Sequence, residues 1–128
     1  NVLKNLCQFS FKDKKIIHML IENYQIDGKN YSFLPQNLKC NNFSLDIKFI
    51  CLSKNLIEHY ESILKRYHIL VNQILNAKYI EQFQDQQNPN IYTTASRIIS
   101  GLNNNEISLV NKTLKSKGFF EKFFDFFS

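Results

Sequence analysis

The sequence predicts a small α+β protein: a three-stranded sheet with helices packed on one face, then a short helix, a flexible linker and an amphipathic C-terminal helix. Three observations predict this class. The 128 residues are enough for one domain with a core, but too few for two ordinary ones. Segments that alternate like strands are interleaved with segments of helical period. Six of the twelve Phe lie in the last ten residues, which sets the C-terminus apart.

Three segments carry the pattern of β-strands. Residues 16–26 are rich in Ile and predict a central strand, which the turn-forming residues 27–30 bring to an end. Residues 44–52 alternate apolar and polar side chains and predict a second strand. Residues 68–75 predict the third. A small sheet is therefore expected at the centre of the domain.

The clearest helix follows Ser53, which is a plausible N-cap. We expect its apolar stripe to pack on the sheet, because the members recur at helical spacing; they are Leu56, Ile57, Tyr60, Ile63, Leu64 and Tyr67. Weaker helical patterns cover residues 1–10, 76–83 and 91–102.

Changes in composition divide the chain into four parts. Residues 1–83 form the predicted domain. Residues 84–102 begin with a Gln- and Asn-rich linker and continue as a short helix. Residues 103–117 are polar and basic, which predicts a flexible linker. Residues 118–128 are the predicted amphipathic helix.

The C-terminal segment has the pattern of a helix that lies on a membrane surface. At 100° per residue its six Phe fall within an arc of about 160°, and the polar residues occupy the remainder. An apolar face with Lys residues at its root is typical of an interfacial anchor on an anionic membrane. The alternative is that the segment folds back onto the core of the domain. The predicted membrane-binding residues are Phe119, Phe120, Phe123, Phe124, Phe126, Phe127, Lys112, Lys115, Lys117 and Lys122.

We find no sequence motif typical of an enzyme or of a cofactor site. With only three Gly, none in a strand–loop–helix setting, we expect no phosphate-binding loop. The three His have no metal-ligand spacing with the Cys, and no Ser or Cys stands in a nucleophile motif. Only two of the sixteen basic residues are Arg, which disfavours nucleic-acid readout. We therefore expect no enzyme, cofactor or metal, and the odd number of Cys suits a reduced cytoplasm.

Several segments together resemble the FtsA family of bacterial actin-like cell-division proteins. The first part of the chain is similar to the family's small inserted subdomain, called SHS2, which ends one strand in a Glu-x-Tyr-x-Ile-Asp pattern, here Glu22, Tyr24, Ile26 and Asp27. The resemblance runs through residues 1–5, 16–20, 22–27, 46–51, 55–57, 65–71 and 72–74. Residues 88–95 are similar to the family's Asn-Pro-x-Tyr-Ala-Thr-Ala segment, and residues 118–124 to its membrane-targeting helix.

This resemblance implies a truncated FtsA-like protein without the ATPase core, because only about a dozen residues separate the two matched parts. It implies a non-enzymatic interaction module on the cytoplasmic face of the membrane at the division site. The implied partners are other divisome proteins and further copies of the chain. The region that binds FtsZ in the family has no counterpart, so that contact does not carry over. ATP binding does not carry over either.

Two other interpretations remain open at the level of sequence. The first is a degenerate fragment without function, since the first helix looks truncated at its start. The second is a small basic nucleic-acid-binding domain, given the net charge of +5. Its aromatic residues, however, are concentrated in the C-terminal segment rather than on the predicted sheet.

Overall fold

A computed structural model describes residues 11–87 and 89–107 of the chain. It has an antiparallel three-stranded sheet and three helices, which is a small α+β fold. The strands are β1 (Lys14–Ile26), β2 (Lys29–Tyr31) and β3 (Phe43–Ser53), in the order β2-β1-β3. The helices are α1 (Lys54–Lys65), α2 (Ala77–Glu81) and α3 (Ile91–Ile99).

A tight hairpin joins β1 to β2. Asp27 and Gly28 both have positive φ, at 47° and 79°, and Ile26 pairs with Lys29 directly across the turn. Positive φ at both central residues is the geometry of a type I′ turn, whose twist matches that of the strands. The turn predicted at this place is therefore present, but it starts a new strand as well as ending the first one.

The main core lies on one face of the long β1–β3 ribbon. Met19, Ile21 and Tyr24 of β1 are buried there, opposite Phe49, Ile47 and Leu45 of β3. Register shifts at two places in β1 mark bulges, which increase the twist of the ribbon. These pairs partly bury the apolar face of β3 that its alternating sequence predicts.

Helices α2 and α3 cover the opposite face. Tyr79 and Ile80 of α2 and Ile98 of α3 form a second cluster, which packs on Leu20 of β1 and Ile50 of β3. Neighbouring residues on a strand point to opposite faces, so Leu20 and Met19 serve different clusters. Asn caps begin both helices: the side chains of Asn76 and Asn90 accept bonds from the first-turn N–H groups. The helices predicted at residues 76–83 and 91–102 are thus present in shorter form.

The strand predicted at residues 68–75 is wrong. Helix α1 ends in a Schellman motif, in which the Ile69 N–H bonds the carbonyl of Leu64 at 3.1 Å and the His68 N–H bonds that of Lys65 at 3.0 Å. His68 adopts φ 59° to make this turn. Residues 69–76 belong to no strand, and within the described residues β2 supplies the third strand of the sheet instead.

The flexible linker predicted for residues 103–117 is wrong for its first five residues. Glu106 forms a β-bridge with Leu20, the Ile21 N–H bonds the carbonyl of Asn105 at 2.8 Å, and the Ile107 N–H bonds that of Met19 at 2.8 Å. The Ile107 side chain is buried in the main core. Asn103 forms a turn here, in which its side chain accepts a bond from the Asn105 N–H. Asn is common both in turns and in flexible linkers, so composition did not distinguish the two.

The packing expected of α1 is also largely wrong. The helix has the predicted position and follows Ser53, although the Ser53 side chain makes no capping bond. Within its stripe only Ile57 is buried and Leu64 is half-buried. Amphipathic spacing correctly groups these side chains on one face of α1, but the fold buries only one edge of that face.

Ile107 offers a test of the order after Asn103. Because its side chain is buried, we expect Ile107→Ala to lower the free energy of unfolding by about 2 to 5 kcal/mol in a urea titration. The matched variant Ile69→Ala removes a half-exposed side chain, and it should cost below about 1 kcal/mol. Equal small effects would contradict the packing of Ile107.

The left-handed turn at His68 can be tested by a substitution that should stabilise the protein. A left-handed conformation costs a non-glycine residue about 1 to 2 kcal/mol, so His68→Gly should raise the free energy of unfolding. The greater freedom of Gly in the unfolded chain reduces the net gain to roughly 0.5 to 1 kcal/mol. The control His59→Gly lies inside α1, where glycine should instead destabilise the helix by roughly 0.5 kcal/mol.

Candidate functional site

A buried histidine is the centre of the polar interactions in this fold. His18 lies on β1 with its side chain fully buried. Its Nδ1 is 2.7 Å from Oε1 of Glu106, and its Nε2 accepts a bond of 2.9 Å from the backbone N–H of Asn76. The three residues join the central strand, the start of α2 and the segment after α3. A His–carboxylate pair of this kind deserves testing as a candidate catalytic dyad.

The hydrogen-bond pattern fixes the tautomer of His18. Since a backbone N–H only donates, Nε2 must be the unprotonated nitrogen, and the proton then sits on Nδ1 and is donated to Glu106. Both ring nitrogens are occupied. A general base or a metal ligand needs one nitrogen free to reach a substrate or an ion, so this geometry offers neither.

Tyr79 completes the network from α2. Its hydroxyl donates to Oε2 of Glu106 at 2.7 Å and accepts from the side-chain amide of Asn103 at 2.9 Å. Its ring lies 4.5 Å from the imidazole of His18, centroid to centroid. Burial, and then the bond to Glu106, raise the pKa of Tyr79 well above its usual range. The hydroxyl therefore stays protonated and serves as a donor.

This network holds distant parts of the chain together. His18 and Glu106 are 88 positions apart. Nearby, the Tyr24 hydroxyl donates to the side chain of Asn105 at 3.0 Å, and Asn105 donates to the carbonyl of Ser32 at 3.0 Å. These contacts could not be predicted from the sequence, because a lone His on a strand and a lone Glu in an Asn-rich segment form no local pattern.

A cleft of about 510 Å³ opens beside the network. Lys15 and His18 of β1, Glu61 of α1, Asn72, Ile98 of α3 and Glu106 are among its lining residues. Within residues 11–87 and 89–107, no three His, Cys, Asp or Glu side chains are grouped as a metal site requires. His18 lines this cleft, but both of its ring nitrogens are already hydrogen-bonded within the protein.

The outer face of α1, continued by Tyr67 just beyond its last residue, exposes large apolar side chains. Leu56, Tyr60, Ile63 and Tyr67 are 46%, 59%, 36% and 73% exposed. Their positions fall within an arc of about 60° at 100° per residue. We call these four residues the α1 stripe. Contiguous exposed apolar side chains of this kind mark interaction sites in soluble proteins.

The predicted membrane-binding residues cannot be compared with the structure. Phe119, Phe120, Phe123, Phe124, Phe126 and Phe127, with Lys112, Lys115, Lys117 and Lys122, lie outside the described residues. The helix predicted at residues 1–10 lies outside them too. In the described part of the chain, no helix is both long and apolar enough to cross a bilayer.

No protein family, no curated protein and no solved structure matches this chain.

The raised pKa of Tyr79 predicts how stability depends on pH. The unfolded side chain ionises near pH 10, whereas the folded one stays protonated to higher pH. Stability is thus fully present below pH 10 and is lost above it, by up to about 1.4 kcal/mol per pH unit from this group. We expect Tyr79→Phe to make this alkaline loss shallower, measured as urea midpoints from pH 8 to 11.

At neutral pH, Tyr79→Phe should itself cost about 1 to 3 kcal/mol, because Glu106 and Asn103 each lose a hydrogen-bond partner. The control Tyr67→Phe changes an exposed hydroxyl and should alter neither quantity. An alkaline loss of the same steepness in wild type and Tyr79→Phe would contradict the role given to Tyr79.

Proposed function

We propose that this protein is a non-enzymatic protein-interaction module held on an anionic membrane surface by its C-terminal segment. The observation that carries the proposal is the spacing of the six Phe in residues 118–128, which in a helix would place all of them on one side. Lys112, Lys115 and Lys117 precede that segment and supply the positive charge that anionic headgroups attract.

The energetics favour a weak, reversible anchor. If partial insertion of each Phe and attraction of each Lys contribute about 1 kcal/mol, the gross gain is near 10 kcal/mol. The entropy lost in ordering about ten residues offsets much of it. Such an anchor gains strength when several copies are linked, because each further contact becomes intramolecular. A module that assembles with partners suits an anchor of this strength.

The described fold supports an interaction role rather than catalysis. Both nitrogens of His18 are engaged, so the one buried His–carboxylate pair has no free group to offer a substrate. The α1 stripe, in contrast, presents four large side chains to solvent. An exposed apolar surface of this kind is suited to bind another molecule.

The cellular role in this proposal rests on the resemblance to the FtsA family. On that basis the module acts at the division site, on the cytoplasmic face of the membrane, with divisome proteins as its partners. The proposed architecture is the family's small subdomain joined to its membrane-targeting helix without the ATPase core.

Flotation with liposomes tests the anchor. Wild-type protein should float with vesicles that contain phosphatidylserine, and less so with neutral vesicles. The double variant Phe123→Asp, Phe124→Asp should lower the partition coefficient by at least about thirtyfold, since it removes two apolar contacts of about 1 kcal/mol each and adds two negative charges.

The matched control is Phe33→Asp, Tyr92→Asp, which makes the same change in charge at two exposed aromatic residues outside the segment. It should bind vesicles within about twofold of wild type, because only the long-range charge differs. Equal flotation of wild type and the Phe123/Phe124 variant would refute the anchor. A wild-type chain without a cooperative unfolding transition would instead favour the degenerate fragment.

A further inference from the structure

The α1 stripe has no counterpart to cover it in the described fold. Ile57 and Leu64 lie on the adjacent side of the helix and face inward, whereas Leu56, Tyr60 and Tyr67 face solvent. Ile69 and Leu70, just beyond the helix, are 50% and 78% exposed and extend the apolar surface. The four members of the α1 stripe recur at positions i, i+4, i+7 and i+11. A stripe with this spacing is suited to pack against a second amphipathic helix.

We propose that the α1 stripe binds the chain's own residues 118–128, so that the helix and the membrane compete for the same Phe face. The inference rests on the proposed function and adds a form of regulation to it. In solution the Phe face would be covered by α1, and on a membrane it would be inserted in lipid. It cannot do both at once, because one set of side chains makes both contacts.

The described part of the chain ends at a cleft that α1 also lines. Ile107, the last described residue, lines the same cleft as Glu61 of α1. The ten residues 108–117 span at most about 35 Å when extended. Helix α1 is about 18 Å long at 1.5 Å per residue, so the C-terminal segment has the reach to lie along it. A tether of this length also gives an effective concentration in the millimolar range.

The charges beside the two apolar faces are complementary. Just after α1, Arg66 lies beyond one edge of the stripe at about 280°, counted from Leu56 at 100° per residue. On the C-terminal segment, counted from Phe119 at 100° per residue, Glu121 at about 200° lies beyond one edge of the Phe face and Lys122 at about 300° lies beside the other. Parallel packing of the two helices brings Arg66 beside Glu121, whereas antiparallel packing would bring it beside Lys122.

This competition predicts the sign of a change that no simple anchor would show. A segment held on α1 for part of the time binds lipid with an apparent affinity reduced by the fraction that is free. Weakening the α1 stripe should therefore tighten membrane binding.

We expect Leu56→Gln, Tyr60→Gln to bind phosphatidylserine vesicles about three- to tenfold more tightly than wild type. The matched control Tyr92→Gln, Ile99→Gln, on the exposed face of α3, should bind like wild type.

The vesicle titration has two outcomes that overturn the proposal. Unchanged binding by Leu56→Gln, Tyr60→Gln means that the stripe does not hold the segment. Weaker binding means that the stripe itself contacts lipid. Circular dichroism of each variant shows whether α1 remains folded, and a variant that loses its fold is replaced by Tyr60→Gln, Tyr67→Gln, judged by the same outcomes.

A measurement without lipid separates this proposal from the anchor. Amide NMR spectra of full-length wild type and Phe123→Asp, Phe124→Asp should differ at residues 56–67 and agree at β2, at any protein concentration. Identical α1 signals would overturn the proposal, as would differences that vanish on dilution together with a dimer mass, since a second copy would then be the occupant. Should wild type fail to float with vesicles, the anchor fails while these spectra still decide the contact with α1.

Discussion

The hydrogen-bonded contact between His18 and Glu106 is the constraint around which the described fold is arranged. A buried imidazole or carboxylate left without partners is costly, so burying this pair requires every remaining donor and acceptor to be supplied. Asn76 caps the imidazole, and Tyr79 occupies the second carboxylate oxygen. Across the described residues, no buried side-chain nitrogen or oxygen is left without a partner. The central strand, the start of α2 and the segment after α3 must therefore come together at once.

The same constraint relates two features of the fold. Both nitrogens of the buried His18 are engaged in hydrogen bonds, whereas the α1 stripe remains exposed. The network places α2 and the end of α3 against one face of β1, and Ile107 against the other. Within α1 only Ile57 is buried and Leu64 is half-buried. The apolar surface that α1 would otherwise bury stays available for another helix. Under the proposed function, this surface gives the apolar C-terminal segment a contact that excludes lipid.

The two proposals describe one physical balance. A Phe-rich helix tethered by a short chain has two apolar environments within reach, and the occupied one depends on the local amount of lipid and on how many copies are linked. Because a single anchor is weak, small changes in either environment shift the population by a large factor. Assembly with partners would then act through the number of anchors, without any catalytic step.

The sequence by itself determined the elements whose information is local: the period of α1 after Ser53, the two long strands, the turn at Asp27 and Gly28, and the angular grouping of the Phe residues. It also placed the side chains of the α1 stripe on one face. Tertiary structure alone decided whether that face is buried, which turn residues start a strand, and whether an Asn-rich segment is ordered. His18 and Glu106 show the reason: a contact between residues 88 positions apart leaves no periodic trace in the chain. The backbone turn at His68 likewise redirected a strand-like segment that local propensity had assigned to the sheet.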